Sequence, residues 1–210
     1  MTSRKANKER TRSRLIQATL KILHRQGPGA LTTGRIAEAA GVAQPTFYVH
    51  FEGMNDALEQ AAEAVAEGLL GRLRDYSEGV SDGGPESAVR NAFELSTKAF
   101  LGDKRAAALL LRHRRDVASP LGKRWSELVN QIRADLLVGL REGGVTEQIE
   151  APEVFADMII GMVLTLVEGV LDGRVSAADL DDAIDTLART TSAGLDSARG
   201  RRKAQSASAA

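Results

Sequence analysis

With 210 residues, 43% of them apolar, the chain is long enough to bury a sizeable core, which excludes a peptide or a disordered tail. The absence of cysteine removes a disulfide framework, a thiolate metal site and a thiol nucleophile, and it fits a reducing compartment. Its formal charge of zero hides a division: residues 1–51 hold nine Lys/Arg against two acids, net +7, whereas 52–198 hold fifteen against twenty-six, net −11. Such an asymmetry suits a basic module that sits on a polyanion while an acidic body stays off it.

The leader carries Arg4, Lys5, Lys8, Arg10, Arg12 and Arg14 with only Glu9 opposing, either as a solvated arm or as an arm or first helix that tracks phosphates. Apolar spacing predicts helix 1 from about Lys8 to Arg25, with Leu15, Ile16, Ala18, Thr19, Ile22 and Leu23 on its buried stripe. Gly27-Pro28-Gly29 stops it, and His24 beside that end reads as a surface partner of the helix dipole.

Between Thr32 and Phe51 the run TTGRIAEAAGVAQPTFYVHF packs two short helical patterns around one turn, the layout of a helix-turn-helix or, more blandly, of an ordinary αα-hairpin. Thr32 can cap the first piece, in which Ile36, Ala37 and Ala40 recur at helical spacing. Gly41 supplies the left-handed residue just past the helix end, and Val42 plugs the angle. Pro45 opens the second piece, its missing N–H being unpaired there anyway. Phe47 and Phe51, four apart, then share an inward face, Pro45 and Val49 point the opposite way, and Thr46, Tyr48 and His50 take the flanks.

A long helix follows from Asn55 to about Tyr76 with Leu58, Ala61, Ala62, Val65, Leu69 and Leu73 on one side. Breakers from Ser77 to Pro85 make a loop, and Glu86 to Leu101 resumes a helix carrying Val89, Phe93 and Phe100. Lys104 to Arg115 is a shorter helix with Leu109, Leu110 and Leu111, ending in Arg112-His113-Arg114-Arg115. That cluster is either a solvated helix end that favours cations or a rim for the anionic head of an apolar ligand. From Ser119-Pro120 to about Glu142 a helix carries Trp125, Leu128, Ile132, Leu136, Leu137 and Leu140 in phase, and Gly143-Gly144 ends it.

The most apolar helix spans Ala151 or Pro152 to Leu171. Its apolar side chains cover nearly every side, so it is expected to be buried on all of them. The continuous apolar run within it, Met158 to Val167, is about half a bilayer crossing, so no membrane span is expected. The N-terminus lacks the apolar region of a secretory signal, which leaves cytoplasmic residence by default. Ser176 opens a last helix with a Leu180, Ile184, Leu187, Leu195 stripe and acids at its positive end. Residues 198–210, basic and of low complexity, read as a disordered tail. Nothing suggests strands, so the fold class is all-α.

The ordered run Thr32, Ile36-Ala37, Ala40-Gly41-Val42 and Thr46-Phe47-Tyr48-Val49-His50-Phe51 resembles the tetracycline repressor (TetR) family of transcription regulators. With the preceding helix the resemblance covers roughly the first quarter of the chain. Three positions depart from the commonest form: Ala43 stands where a capping Ser is usual, Gln44-Pro45 replaces a basic-Gly pair, and Met54 lies near a usual phosphate-binding Lys. The resemblance implies a three-helix helix-turn-helix DNA-binding domain, joined by a long helix to a helical ligand-binding and dimerisation domain, about nine helices in all. Domain boundaries follow as 1–53, 54–197 and the tail 198–210.

By that resemblance Gln44, Pro45, Thr46 and Tyr48 lie in the major groove. Gln can pair with adenine and Thr can contact thymine, while Thr32, Tyr48 and His50 suit phosphates. A homodimer joined through the last two helices would present two such helices to successive grooves of a palindromic double-stranded DNA operator. The body is expected to hold a small hydrophobic effector, with Phe93, Phe100, Leu110, Trp125, Met158 and Met162 as candidate wall and Arg112 and His113 on its rim. Each of these is also ordinary core at helical spacing. More loosely, AALLLRHRRDVASPLGKRW and HFEGMNDAL look like relatives that control fatty-acid unsaturation and bind long-chain acyl-CoA; a drug or other hydrophobic effector stands beside that reading. No P-loop, nucleophile with a paired base or carboxylate–His metal set is present, so no enzyme, cofactor or metal site is expected. A helical protein-interaction module without specific DNA binding is the reading from another class.

Overall fold

The computed structural model describes residues 3–77 and 83–208, and among these every regular element is helical. The helices are α1 (Ser3–Gln26), α2 (Thr33–Ala39), α3 (Gln44–His50), α4 (Met54–Ser77), α5 (Gly84–Leu101), α6 (Lys104–His113), α7 (Pro120–Glu142), α8 (Pro152–Leu171) and α9 (Ala177–Ser208). Two single 3-10 turns, Pro28–Ala30 and Thr146–Gln148, are too short to leave a period in the sequence.

Helix ends inside the chain fall close to their sequence signals, and the outermost ones do not. α1 begins at Ser3 rather than near Lys8, because its leader contains neither Gly nor Pro and Asn7 ties the turn, accepting from Arg10 at 2.8 Å and, through its carbonyl, from Thr11 at 3.0 Å. The tail expected to be disordered is instead helical to Ser208. Its RRKAQ run is made of strong helix formers, so a helix already running through Leu195 continues. Much of the loop expected at 77–85 lies outside the described residues.

Contacts divide the chain into two compact units, Met1–Gly68 with Arg105–Leu128, and Leu69–Lys104 with Val129–Ala210. The division falls inside α4 and α7. In the first unit Leu15, Ile16, Ala18 and Ile22 of α1 meet Ile36 and Ala40, Phe47 and Phe51, and Ala57 and Ala61 of α4 in one core. A smaller cluster joins Leu23, Ala62, Leu109 and Leu121. Arg124 of α7 clamps Glu63 of α4 with two hydrogen bonds, Nε to Oε2 at 2.7 Å and Nη2 to Oε1 at 3.2 Å. A methyl group on Gly122 would lie 1.9 Å from the Asp116 carbonyl oxygen, so only glycine permits the tight entry to α7 that Ser119 caps.

In the second unit α5 packs on both α8 and α9. Val89, Phe93 and Phe100 of α5 are buried there, as are Ile159, Val163 and Val167 of α8 and Ile184, Ala188 and Leu195 of α9. α9 opens with a reciprocal capping box: Asp179 N–H donates to Ser176 Oγ at 3.2 Å and Ser176 N–H to Asp179 Oδ2 at 3.0 Å. Those bonds hold the Asp179 carboxyl below its ordinary pKa.

α8 departs from expectation twice. It is 20 residues long and holds an 18-residue window of mean hydropathy 2.1, which makes it long and apolar enough to cross a membrane by length and composition alone, where the continuous run suggested otherwise. Asp157 and Glu168 bound the run, and the apolar residues beyond them keep the average high. It is also not enclosed all round: 28% of its window is buried, at Ala156, Ile159, Val163, Val167 and Gly169. Val154 and Met158 on its other side are 58% and 56% exposed.

Candidate nucleic-acid interface

The helix-turn-helix is built by three local devices. Thr32, in extended backbone, accepts the Arg35 N–H on its hydroxyl at 3.2 Å and so caps α2. Gly41 then turns the chain at φ +66, with Val42 N–H closing back on the Ala37 carbonyl at 2.9 Å. Arg14 of α1 donates to the carbonyl oxygen of Ala40, capping the other end of α2. Ala43 leaves α3 without a side-chain cap, as its identity implied, and the Thr46 N–H bonds the Ala43 carbonyl at 2.9 Å.

Beneath α3 the rings of Phe47 and Phe51 are buried at 5.2 Å between centroids, which fixes the helix against the core. Burying one such ring contributes about 1.5–3 kcal/mol. Its outer face is free: Gln44 and Pro45 are exposed, Tyr48 and Val49 are 57% and 66% exposed, and Thr46 and His50 are half-buried at the flanks. Gln44 and Tyr48 do not hang loose. Gln44 Nε2 donates to Thr33 Oγ1 at 3.0 Å, and that oxygen lies 3.2 Å from the Tyr48 hydroxyl. Thr33 escaped the sequence reading, its one signal being that it follows the capping Thr32.

His50 sits where α1 approaches the end of α3. Its pKa is lowered by burial first, then by the charges of Lys8 and Arg12, with Glu9 opposing, and its Nδ1 is enclosed without a hydrogen-bond partner. Arg12 is not a loose arm: it donates to Gln60 at 2.6 Å and lies 5.8 Å over the Phe51 ring. Arg12 and Arg14 therefore brace the reading head, leaving Arg4, Lys5, Lys8 and Arg10 of the leader exposed.

The candidate effector residues are not brought together. Leu110 and Trp125 are buried in the first unit, where Arg112 is exposed and His113 half-buried, its pKa lowered by burial and then by Arg112. Phe93, Phe100, Met158 and Met162 belong to the second unit: Phe93 and Phe100 are core, Met158 faces outward and Met162 is half-buried. That unit contains an open cavity of about 850 Å³ walled by other residues. Leu70 and Leu73 of α4, Ala92 and Leu95 of α5, and Ile132 and Leu136 of α7 supply its apolar lining, with Arg74, Asp135 and Glu142 also on its wall. Sequence periodicity marked several of these as one stripe of a helix, yet not that three stripes leave a gap.

A short exposed helix, braced from below and turned outward by a glycine-ended partner, defines the class: an all-helical helix-turn-helix protein. Residues 15–61 match the family model for bacterial regulatory proteins, tetR family. The tetracycline repressor protein class D of Escherichia coli is 31% identical over 105 residues, 50% of this chain and 46% of that protein. The chain thus spans about half the length of that curated relative. In overall fold it is similar to the solved transcriptional regulator from Rhodococcus sp. Rha1, with TM-score 0.67 at 20% identity over 85% of this chain and 94% of that one. It is similar too to the transcriptional regulator FadR from Bacillus subtilis, solved in complex with stearoyl-CoA, with TM-score 0.63 at 19% identity over 84% and 95%. The family match thus covers the helix-turn-helix, with the second half of α1 before it and the start of α4 after it.

Proposed function

We propose that this chain is a homodimeric, sequence-specific DNA-binding repressor that reads a palindromic operator in the bacterial cytoplasm under control of a small hydrophobic effector. The observation that carries the reading is the outer face of α3, where Gln44, Pro45 and Tyr48 stand exposed on a helix anchored by two buried phenylalanines. Gln offers a donor and an acceptor to adenine, Thr46 and Pro45 suit a thymine methyl, and Thr32, Tyr48 and His50 suit phosphates. The exposed apolar side of α8, at Val154 and Met158, supports pairing of two copies, since a patch of that kind on a water-facing helix favours burial. Two reading heads about 34–36 Å apart would then meet successive major grooves.

The apolar wall of the second unit's cavity supports the effector site. Long-chain acyl-CoA is the effector to which the sequence resemblance points; Arg112 and His113, expected to hold its anionic head, belong to the other unit and are not on this cavity's wall. A second reading, a hydrophobic effector without a polyanionic head, is favoured by Asp135 and Glu142 on the cavity wall against the single Arg74. Operator selection from random duplexes, followed by fluorescence anisotropy at rising salt, tests the regulator reading. Enrichment of a palindrome and a steep loss of affinity with salt, about 0.9 log units per log unit of salt for each phosphate neutralised, support it; binding that ignores sequence refutes it. Adding palmitoyl-CoA or a neutral hydrophobe to the preformed complex then decides the effector class by which one shifts the affinity.

A further inference from the structure

We propose that Thr33 is a positioning residue that sets which base Gln44 reads, an inference that rests on the DNA-reading role of α3. A primary amide presents an acceptor on one side and two hydrogens on the other, and a half-turn about its last bond exchanges them. Toward a base, the two orientations are different readers. With Oε1 and one N–H outward, the amide matches adenine, accepting from N6 and donating to N7. With the NH2 group outward, its hydrogens match the two acceptors of guanine, O6 and N7.

Thr33 selects between these. Gln44 Nε2 donates to Thr33 Oγ1 at 3.0 Å, which turns Nε2 toward α2 and leaves Oε1 and the second N–H for the groove. The opposite orientation would need Thr33 to donate its one hydroxyl proton to Oε1. That proton has another destination, because the Tyr48 hydroxyl lies 3.2 Å from the same Oγ1. When Tyr48 donates its own proton to a backbone phosphate, its oxygen accepts from Thr33, and Thr33 accepts from Gln44. The three bonds then run in one direction, and the phosphate contact and the adenine-reading orientation favour each other. Gly34, whose Cβ position lies 3.8 Å from the Gln44 amide, adds no side chain to compete with Thr33 for it.

The test compares base preference, not affinity alone. On the selected operator and on the same duplex with adenine replaced by guanine at the position that Gln44 reads, Thr33→Val removes the hydroxyl at nearly constant shape. The adenine-to-guanine affinity ratio is expected to fall at least about fivefold, the lower end of what one bidentate base contact discriminates. Thr33→Ser, which keeps the hydroxyl, should retain the ratio, and Tyr48→Phe, which frees the Thr33 proton for Oε1, should lower it. In a Gln44→Ala background Thr33→Val should change the ratio no further. An unchanged ratio in Thr33→Val, with affinity for both duplexes reduced equally, would make Thr33 a phosphate or structural contact and overturn the inference alone. A wild-type protein without any sequence preference would overturn the regulator reading with it. Circular dichroism melting of each variant, and the Tyr48→Phe ratio, keep the test decisive if Thr33→Val folds poorly.

Discussion

Gln44 and His50 stand at opposite ends of α3 and answer to different physics. Gln44 is exposed and offers a directional pair of hydrogen-bonding groups, so Gln44→Ala is expected to cost about 1–3 kcal/mol on the best operator and little on random DNA, measured by anisotropy on both. Equal losses on the two would remove Gln44 from the groove. His50 is a charge problem. Its folded pKa lies below the ordinary 6.5 through burial and the neighbouring Lys8 and Arg12. As pH falls below that ordinary value the unfolded chain takes up the proton first, so acidification removes stability, and the loss is complete below the folded pKa. A phosphate against His50 would act in the opposite direction, favouring the charged ring, so DNA affinity should rise over the same window. Thermal melts and DNA titrations at about pH 7.5 and about pH 5.5 should show both trends in the wild type and weaker ones in His50→Gln, the difference between the two proteins removing the part due to His113. The role of Thr32 as a cap was legible because cap and capped N–H are neighbours in sequence. That of Thr33 was not, since its partners Gln44 and Tyr48 lie on another helix and meet it only where α2 and α3 cross.

Among the elements, α3 is the one whose end is unfinished. Ala43 occupies the cap position with φ −70 and ψ 146, extended backbone that a serine adopts without strain. Ala43→Ser should therefore raise stability by about 0.5–2 kcal/mol, read as a higher melting temperature with unchanged helical content; no rise would mean that the first turn of α3 is already satisfied by water or by the Thr46 bond. α1 carries two roles along one length. Its apolar stripe holds the core, Arg12 and Arg14 brace the turn and the following helices, and the cations before them remain outward. Sequence alone showed the stripe and the charge, because both are properties of one helix. Which arginines became structural depended on what lay beside each, and the helical tail shows the same limit from the other side: composition read as disorder is also a list of helix formers.

At the scale of the whole molecule the open question is what covers α8. Its buried stripe satisfies one side, and Val154 and Met158 face outward on the other. If that side joins two copies, Met158→Glu places a charge in an apolar contact and should shift the protein to monomer at micromolar concentration, measured by sedimentation, and weaken operator binding with it. A variant that remains dimeric would move the interface elsewhere. The cavity belongs to this scale as well. It opens among α4, α5 and α7, none of whose stripes is unusual alone, and it leaves the aromatic and methionine candidates in the core or outside.

What the sequence by itself determined is the helical nature and order of the longer elements and the inward and outward faces of α3, because a helix converts residue spacing directly into direction. Tertiary structure decided which residues of different helices meet: Thr33 with Gln44 and Tyr48, Arg14 with the end of α2, and the stripes that stop short of one another around the cavity. Those meetings depend on crossing angles and side-chain volumes summed over several elements, a quantity that no single stretch of chain contains.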